Sequence, residues 1–190
     1  MPDLRKELQR CFQGRVCLMG LGNMDYGDDG LGAILSEAIA ERLKRHGGVI
    51  ADNVINAGTL PERFIKSFAD RGFDHLIFLD AVEFGGTPGS VVFLNAEEIV
   101  DRFPQISTHK ISLGLLAKWI EVRGTTKAWL LGVQPGSVKA IKGLTHEVKL
   151  TLEILEDLLS DLWSSKNEAV DHLLCQEEAQ AGVFMEEVNI

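Results

Sequence analysis

Short apolar runs alternate with segments of helical periodicity along this chain, and this alternation constrains the fold more than any other feature. Five runs predict strands: Val16–Met19, Val49–Ile55, Leu76–Leu79, Val91–Leu94 and Ala128–Val133. The run at 91–94 follows a Gly/Pro turn and is predicted as an edge strand. Strand–helix alternation predicts the α/β class, here a three-layer α/β/α sandwich. Its sheet is expected to be mostly parallel, and mixed if the strand near 90–95 returns antiparallel.

The segments between these runs carry helical stripes. An amphipathic helix is predicted from Leu31 to Leu43, and a short helix after Pro61. A third predicted helix starts at Ser107–Thr108, with a buried stripe of Ile111, Leu115, Trp119 and Ile120. The last predicted helix has an apolar stripe of Val148, Leu152, Leu155, Leu159 and Leu162. Residues 1–163 are therefore predicted to form one α/β domain, with 1–14 as an N-terminal extension. Residues 164–190 are predicted to be an acidic, loosely held tail.

The formal charge of −9 belongs to one end of the chain. Residues 1–150 carry 18 Lys/Arg and 18 Asp/Glu, whereas residues 151–190 carry ten acids and one base, Lys166. A nucleic-acid-binding protein needs a basic face for phosphate contacts, and a body of zero net charge does not favour one. The acidic tail would be repelled by DNA, RNA and anionic lipid alike.

The N-terminal residues, the length of the apolar runs and the cysteines indicate the cellular compartment of the protein. The N-terminal residues include no apolar core of a signal peptide, and no apolar run approaches the roughly 18–20 residues that span a bilayer. The three cysteines (Cys11, Cys17 and Cys175) are odd in number, and no two stand at the spacing of a zinc site. Cys17 lies within a predicted strand and is expected to be buried. These features predict a protein of the reducing cytoplasm that does not insert into a membrane.

In a parallel α/β sheet the working site lies beyond the carboxyl ends of the strands. The first loop at that edge, Gly20–Gly30, contains a Gly-x-Gly, but Asp25 stands where a dinucleotide fingerprint needs its third glycine. Asp28 and Asp29 would repel a pyrophosphate about 5 Å away by roughly 3 kcal/mol, while a helix terminus offsets only about 0.3–1 kcal/mol. A nucleotide-binding oxidoreductase is therefore disfavoured. The two carboxylates suit a cation better, although either could simply cap the helix.

Two more loops contribute candidate ligands at the same edge. Asp80 follows a buried strand, and His109 is predicted in the first turn of a helix, whose dipole keeps the imidazole neutral. Each residue alone has a structural explanation. Together with Asp29 they form an open three-ligand site that suits zinc or nickel and not calcium. Gln134 follows a strand at this edge, either as a substrate contact or as part of a structural turn.

The residues at this edge resemble the nickel–iron hydrogenase maturation endopeptidases, in particular the branch serving formate-linked hydrogenases. The matching motifs run in the family's order over roughly residues 15–160: Gly20-Leu21-Gly22-Asn23, Gly27-Asp28-Asp29-Gly30-Leu31-Gly32, Gly58-Thr59-Leu60-Pro61-Glu62, Phe78-Leu79-Asp80-Ala81, Pro88-Gly89, Ser107-Thr108-His109 and Leu131-Gly132-Val133-Gln134-Pro135. The resemblance implies an endopeptidase that removes the C-terminal extension of a hydrogenase large-subunit precursor after nickel insertion. It also implies the same three-layer α/β fold.

By position, Asp29, Asp80 and His109 match the family's metal ligands and are the expected catalytic residues. The metal is expected to be the substrate's own nickel, for which zinc or cadmium can substitute. Asp28, Asn56, Gly58 and Gln134 are the expected substrate contacts; Asn56 departs from the family, many members of which carry an aspartate there. The alternative function is a non-catalytic nickel carrier or docking factor that uses the same ligands.

Overall fold

The computed structural model describes residues 3–45, 53–64, 71–103 and 112–165. Within these ranges five strands form one sheet: β1 (Val16–Leu21), β2 (Val54–Gly58), β3 (His75–Ala81), β4 (Val91–Asn95) and β5 (Lys127–Val133). The strand order is β2-β1-β3-β5-β4. All pairs are parallel except β4 with β5, which is antiparallel. The predicted α/β class and the mixed edge strand are thereby confirmed.

Helices cover both faces of this sheet. They are α1 (Leu4–Phe12), α2 (Leu31–Arg45), α3 (Ala96–Arg102), α4 (Leu113–Arg123) and α5 (146–165), with a helical turn at 62–64. One core cluster joins α1, α2 and α5 to the sheet, and a second joins α3 and α4 to its other face. Side chains of β1 alternate between the two: Leu18 enters the first cluster, Cys17 and Met19 the second. No helix in these ranges is long and apolar enough to cross a membrane.

The N-terminal segment forms helix α1, which packs with α2 and α5 on one face of the sheet. The Asp3 carboxylate caps α1 by accepting a hydrogen bond from the Arg5 amide at 3.1 Å. Phe12 is buried and meets the Trp163 ring of α5 edge to face, with 5.4 Å between the ring centroids. Residues 4–12, predicted only as an extension, therefore contribute to the same core as the rest of the domain.

Two strands extend further toward the carboxyl edge than the sequence predicts. β2 runs from Val54 to Gly58, past the predicted end at Ile55, because it pairs with β1 as far as Leu21. It begins after Asn53, and residues 49–52 of the predicted strand lie outside the described residues. β3 continues through Asp80, which pairs with Gly132 of β5. Pairing with neighbouring strands thus overrides the low strand propensity of Asn, Asp and Gly.

Helix α4 buries a different face from the predicted one. Ser112 caps it and its first residue is Leu113, so the predicted start at Ser107–Thr108 lies outside the described residues. Leu115 is 64% exposed and Trp119 is 36% exposed, which contradicts their assignment to the buried stripe. The buried stripe consists of Leu113, Leu116, Ala117 and Ile120, of which Ile120 was predicted; the predicted Ile111 lies outside the described residues. The helix carries apolar side chains on all of its sides, so the periodicity of its sequence does not decide which face packs inward.

The last helix agrees with the sequence. All five residues of its predicted stripe are buried. On its outer side, Asp157 and Glu156 pair with Arg42 of α2; the contact of Arg42 with Glu156 spans 3.7 Å. Such partly exposed pairs contribute little stability individually. The tail beyond residue 165 lies outside the described residues.

His75 gives the fold a pH dependence at the amino end of the sheet. Burial lowers the pKa of the His75 imidazole, an effect that Asp74 partly opposes, and its Nδ1 accepts a hydrogen bond from Trp129 Nε1 at 3.0 Å. The unfolded chain binds this proton near pH 6.5, whereas the folded chain resists it. We therefore expect the free energy of unfolding to fall as the pH drops below about 6.5.

Urea unfolding at pH 7.5, 6.5 and 5.5 measures this effect. His75→Gln is the control, because its side-chain oxygen can still accept the Trp129 bond but does not titrate in this range. Wild type is expected to lose stability relative to the variant as the pH falls. Parallel curves for the two proteins would contradict the assignment.

Candidate active site at the carboxyl edge of the sheet

Glycines bring the first loop and helix α2 onto the ends of the strands. A Cβ atom on Gly32 would lie 1.9 Å from the Leu79 carbonyl oxygen and 2.6 Å from that of Leu21. Gly22 has a φ of +111°, and a Cβ there would lie 1.7 Å from the Asp29 carbonyl oxygen. Only glycine permits both approaches. The 3₁₀ turn Gly27–Gly30 therefore lies directly over the carboxyl ends of β1 and β3.

Asp29 lies in this turn and faces a cleft. Its Oδ2 accepts a hydrogen bond from the Asn23 amide at 2.7 Å. Its Oδ1 accepts none from the described residues, and the side chain is half-buried. The cleft has a volume of about 250 Å³ and is also lined by Asn23, Tyr26, Thr59 and Val138. Asp29 Oδ1 can thus accept a hydrogen bond from a ligand in the cleft.

Asp80 lies at the same edge, near the end of the neighbouring strand. It is one residue beyond Leu79, which pairs with Gly20 of β1. The side chain is 8% exposed, and its Oδ1 accepts a hydrogen bond from the Ala81 amide at 2.9 Å. A carboxylate this deeply buried requires hydrogen bonds or a cation to offset its desolvation. Two of the three predicted ligands, Asp29 and Asp80, therefore lie at one edge of the sheet.

Asp28 points away from the cleft. It is wholly buried, and its Oδ2 accepts hydrogen bonds from the Gly136 and Ser137 amides at 2.8 Å and from Thr145 Oγ1 at 2.9 Å. Its Oδ1 accepts the Thr145 amide at 2.7 Å. Asp28 is thus a buried anchor between the 3₁₀ turn and the 136–145 segment rather than the predicted substrate contact. Residues distant in sequence supply all four donors, so no local motif reveals this role.

Gln134 is a second structural anchor. It is 3% exposed, and its Oε1 accepts hydrogen bonds from the Phe84 and Gly86 amides, each at 3.0 Å. Its Nε2 donates to Glu83 Oε1 at 2.6 Å. Both ends of the side-chain amide are thus used to hold the loop after β3. Of the two predicted roles, the structural one fits this geometry.

Asn56 and Gly58 organise the end of β2. Asn56 Oδ1 accepts the Gly58 amide at 3.0 Å, and its Nδ2 donates to Glu37 Oε1 at 2.7 Å. The Gly58 carbonyl accepts a hydrogen bond from the Gly22 amide at 3.0 Å, and this bond connects the first loop to β2. These contacts orient the backbone beside the cleft. Thr59, the next residue, lines the cleft and was present in the sequence only as part of a family motif.

The third predicted ligand, His109, lies outside the described residues. Within the described ranges no group of three or more His, Cys, Asp or Glu side chains could hold a metal ion. His109 falls between α3 and α4 in the chain order. The site described here therefore consists of two carboxylates at the carboxyl edge, with a mixed polar and apolar cleft beside Asp29.

Comparison with known proteins is consistent with this arrangement. A family model described as hydrogenase maturation protease matches residues 35–161. The hydrogenase 2 maturation protease of Escherichia coli K12 is 31% identical over 163 residues, which cover 82% of this chain and 95% of the relative. The hydrogenase 3 maturation protease of the same strain is 29% identical over 136 residues, 72% of this chain and 83% of the relative.

The fold is also similar to solved structures. The crystal structure of the [NiFe] hydrogenase maturation protease HycI from Thermococcus kodakarensis KOD1 superposes with a TM-score of 0.67 and 29% identity, covering 82% of this chain and 97% of that one. The family model, the relatives in sequence and the structural likeness thus agree. The chain belongs to the hydrogenase maturation protease family.

Proposed function

We propose that this protease removes a short C-terminal extension from the large-subunit precursor of a nickel–iron hydrogenase after nickel has been inserted. The observation that carries the proposal is the placement of Asp29 and Asp80 at one edge of the sheet, with Asp29 facing an open cleft. A cleft that admits a peptide beside carboxylates suits amide hydrolysis. Membership of the protease family supports the same reaction and the same class of substrate.

The nickel belongs to the substrate in this proposal. Asp29, Asp80 and His109 are its proposed protein ligands, and two carboxylates with one imidazole form a donor set that suits nickel or zinc. Cadmium or zinc is expected to occupy the same ligands when nickel is absent. Because the metal arrives with the precursor, an unloaded precursor would dock unproductively. The protease would thereby test nickel insertion before it cuts.

Peptide hydrolysis can follow two routes at this site. Nickel held beside the scissile bond would polarise the carbonyl or activate a water molecule. In the second route, Asp29 and Asp80 share a proton and act as an acid–base pair. The metal-assisted route is our proposal, because it makes cleavage depend on nickel directly.

The proposed partner is the hydrogenase precursor alone, without nucleic acid. We place the reaction in the reducing cytoplasm. Burial raises the pKa of the free Cys11 and Cys17 thiols to about 11 and about 12, so neither is expected to act as a nucleophile in the reaction. The formate-linked branch stays our proposed assignment on the basis of the sequence motifs alone; relatives from both the hydrogenase 2 and the hydrogenase 3 systems match the chain.

Incubation of the purified protein with a large-subunit precursor, loaded or unloaded with nickel, tests the proposal. Mass spectrometry of the products is expected to show loss of a C-terminal fragment from the loaded precursor only. Equal cleavage of both forms would remove the nickel requirement. A loaded precursor that stays intact while its nickel moves to this chain would indicate a carrier and contradict the proposal.

A further inference from the structure

Large apolar side chains are exposed around the cleft that contains Asp29. Tyr26 is 48% exposed and Val138 is 55% exposed, and both line the cleft. Ile141, which is also exposed, lies next to them, because its carbonyl accepts the Gly27 amide at 2.8 Å. Single exposed apolar residues are ordinary on a protein surface, but several around a functional cleft indicate a binding surface.

The two sides of this surface are held together as one unit. The Asp28 amide donates to the Ser137 carbonyl at 2.9 Å, and the Asp28 carboxylate holds the same segment by accepting four hydrogen bonds. Tyr26 and Val138 are thus positioned by backbone pairing beneath them. A binding surface that is organised in advance loses little freedom when a ligand binds.

The size and composition of the cleft indicate its occupant. Its volume of about 250 Å³ lies below the roughly 300–1,000 Å³ of small-molecule sites, so it fits one or two side chains rather than a whole ligand. Asn23 and Thr59 add polar groups that can bond a peptide backbone. Neighbouring residues of an extended peptide are about 3.3–3.6 Å apart, so a peptide cut beside Asp29 must place flanking side chains in this cleft.

We propose that Tyr26 and Val138 form a subsite that binds an apolar side chain of the precursor next to the scissile bond. The subsite then selects which precursor tails the protease accepts. This inference rests on the proposed function, because it takes the precursor peptide as the occupant of the cleft. It adds the chemistry of that peptide and the residues that recognise it.

Steady-state cleavage of nickel-loaded precursor by Val138→Ser and Tyr26→Ser tests the subsite. Each variant is expected to lose about 10-fold in kcat/KM, mainly through a higher KM, which is the usual cost of a lost apolar contact in a specificity pocket. Val122→Ser is the matched control: Val122 is 86% exposed on α4, away from the cleft. It is expected to stay within about twofold of wild type, as surface substitutions usually do.

A second arm replaces the apolar residues on each side of the scissile bond by Ser, one at a time. Wild-type protease is expected to lose about 10-fold at one of these positions, and Val138→Ser is expected to lose much less at the same position, because the pair no longer interacts. Wild-type KM values for both Val138→Ser and Tyr26→Ser would overturn the subsite alone. So would independent effects, in which the kcat/KM loss from the precursor substitution is the same for Val138→Ser as for wild type. Failure of the wild-type protein to cut loaded precursor would instead overturn the proposed function and the subsite with it.

Discussion

Replacement of Asp28 by Ala is expected to lower the free energy of unfolding by about 2–4 kcal/mol, because it removes a wholly buried carboxylate that accepts four hydrogen bonds, and hydrogen bonds to charged groups contribute about 1.5–3 kcal/mol each before compensation by water. The substitution leaves the Gly136, Ser137 and Thr145 amides and the Thr145 hydroxyl without their acceptor. A donor left without an acceptor costs up to roughly 1–3 kcal/mol, and water recovers part of this because Gly136 is exposed and Ser137 and Thr145 are half-buried. The change should lower the urea midpoint while the slope of the transition stays similar.

Two controls separate the buried network from a general effect of the loop. Asp28→Asn keeps the size and one acceptor oxygen but directs an NH₂ group at a donor, so an intermediate loss is expected. Asp29→Ala removes the adjacent carboxylate, which has one hydrogen bond from the described residues, and should cost about 1 kcal/mol or less. An Asp28→Ala protein within 1 kcal/mol of wild type would contradict the role of Asp28 as an anchor.

The different roles of Asp28 and Asp29 follow from the geometry of the turn. A 3₁₀ helix has three residues per turn, so adjacent side chains point about 120° apart. One carboxylate of the pair enters the protein when the other faces the cleft. The sequence predicts that this pair is important, but it does not say which one turns inward, because the donors come from the 136–145 segment far along the chain.

The central strands were predictable because they are covered on both faces. β1, β3 and β5 lie inside the sheet, so their apolar runs are continuous and their positions follow from composition alone. β2 and β4 lie at the edges. The observed end of β2 depends on its pairing with β1, which a local pattern does not contain.

Helices were less predictable where their position or buried face depends on tertiary packing rather than on the local sequence pattern. Helix α3 was missed, although Asn95 and Glu98 form a capping box: Asn95 Oδ1 accepts the Glu98 amide, and the Glu98 carboxylate accepts the Asn95 amide, each at 3.0 Å. With seven residues it is too short for a clear apolar stripe. The buried face of α4 depends on the sheet and α3 against which it packs. In α5, by contrast, charged residues mark the outer side, and every residue of the predicted apolar stripe is buried.

Replacement of Asp29 by Asn is expected to reduce cleavage of nickel-loaded precursor by about 10²–10⁴-fold, the usual contribution of a positioned acid–base group. The fold should be unaffected, because the Asn side-chain oxygen can still accept the bond from the Asn23 amide. Asp25→Asn makes the same change at an exposed position of the same loop and is expected to leave the rate unchanged. Mass spectrometry of the trimmed precursor measures the rate, and urea unfolding verifies the fold.

The same assay distinguishes the two routes to hydrolysis. If Asp29 binds the precursor's nickel, Asp29→Asn should weaken binding of loaded precursor and slow cleavage together, and Asp80→Asn and His109→Ala should do the same. If Asp29 and Asp80 act only as an acid–base pair, kcat should fall while precursor affinity is retained, since the lost interaction exists only in the transition state. His109→Ala would then cut at the wild-type rate. Retention of that rate by Asp29→Asn itself would exclude Asp29 from both routes and move the reacting centre away from the cleft.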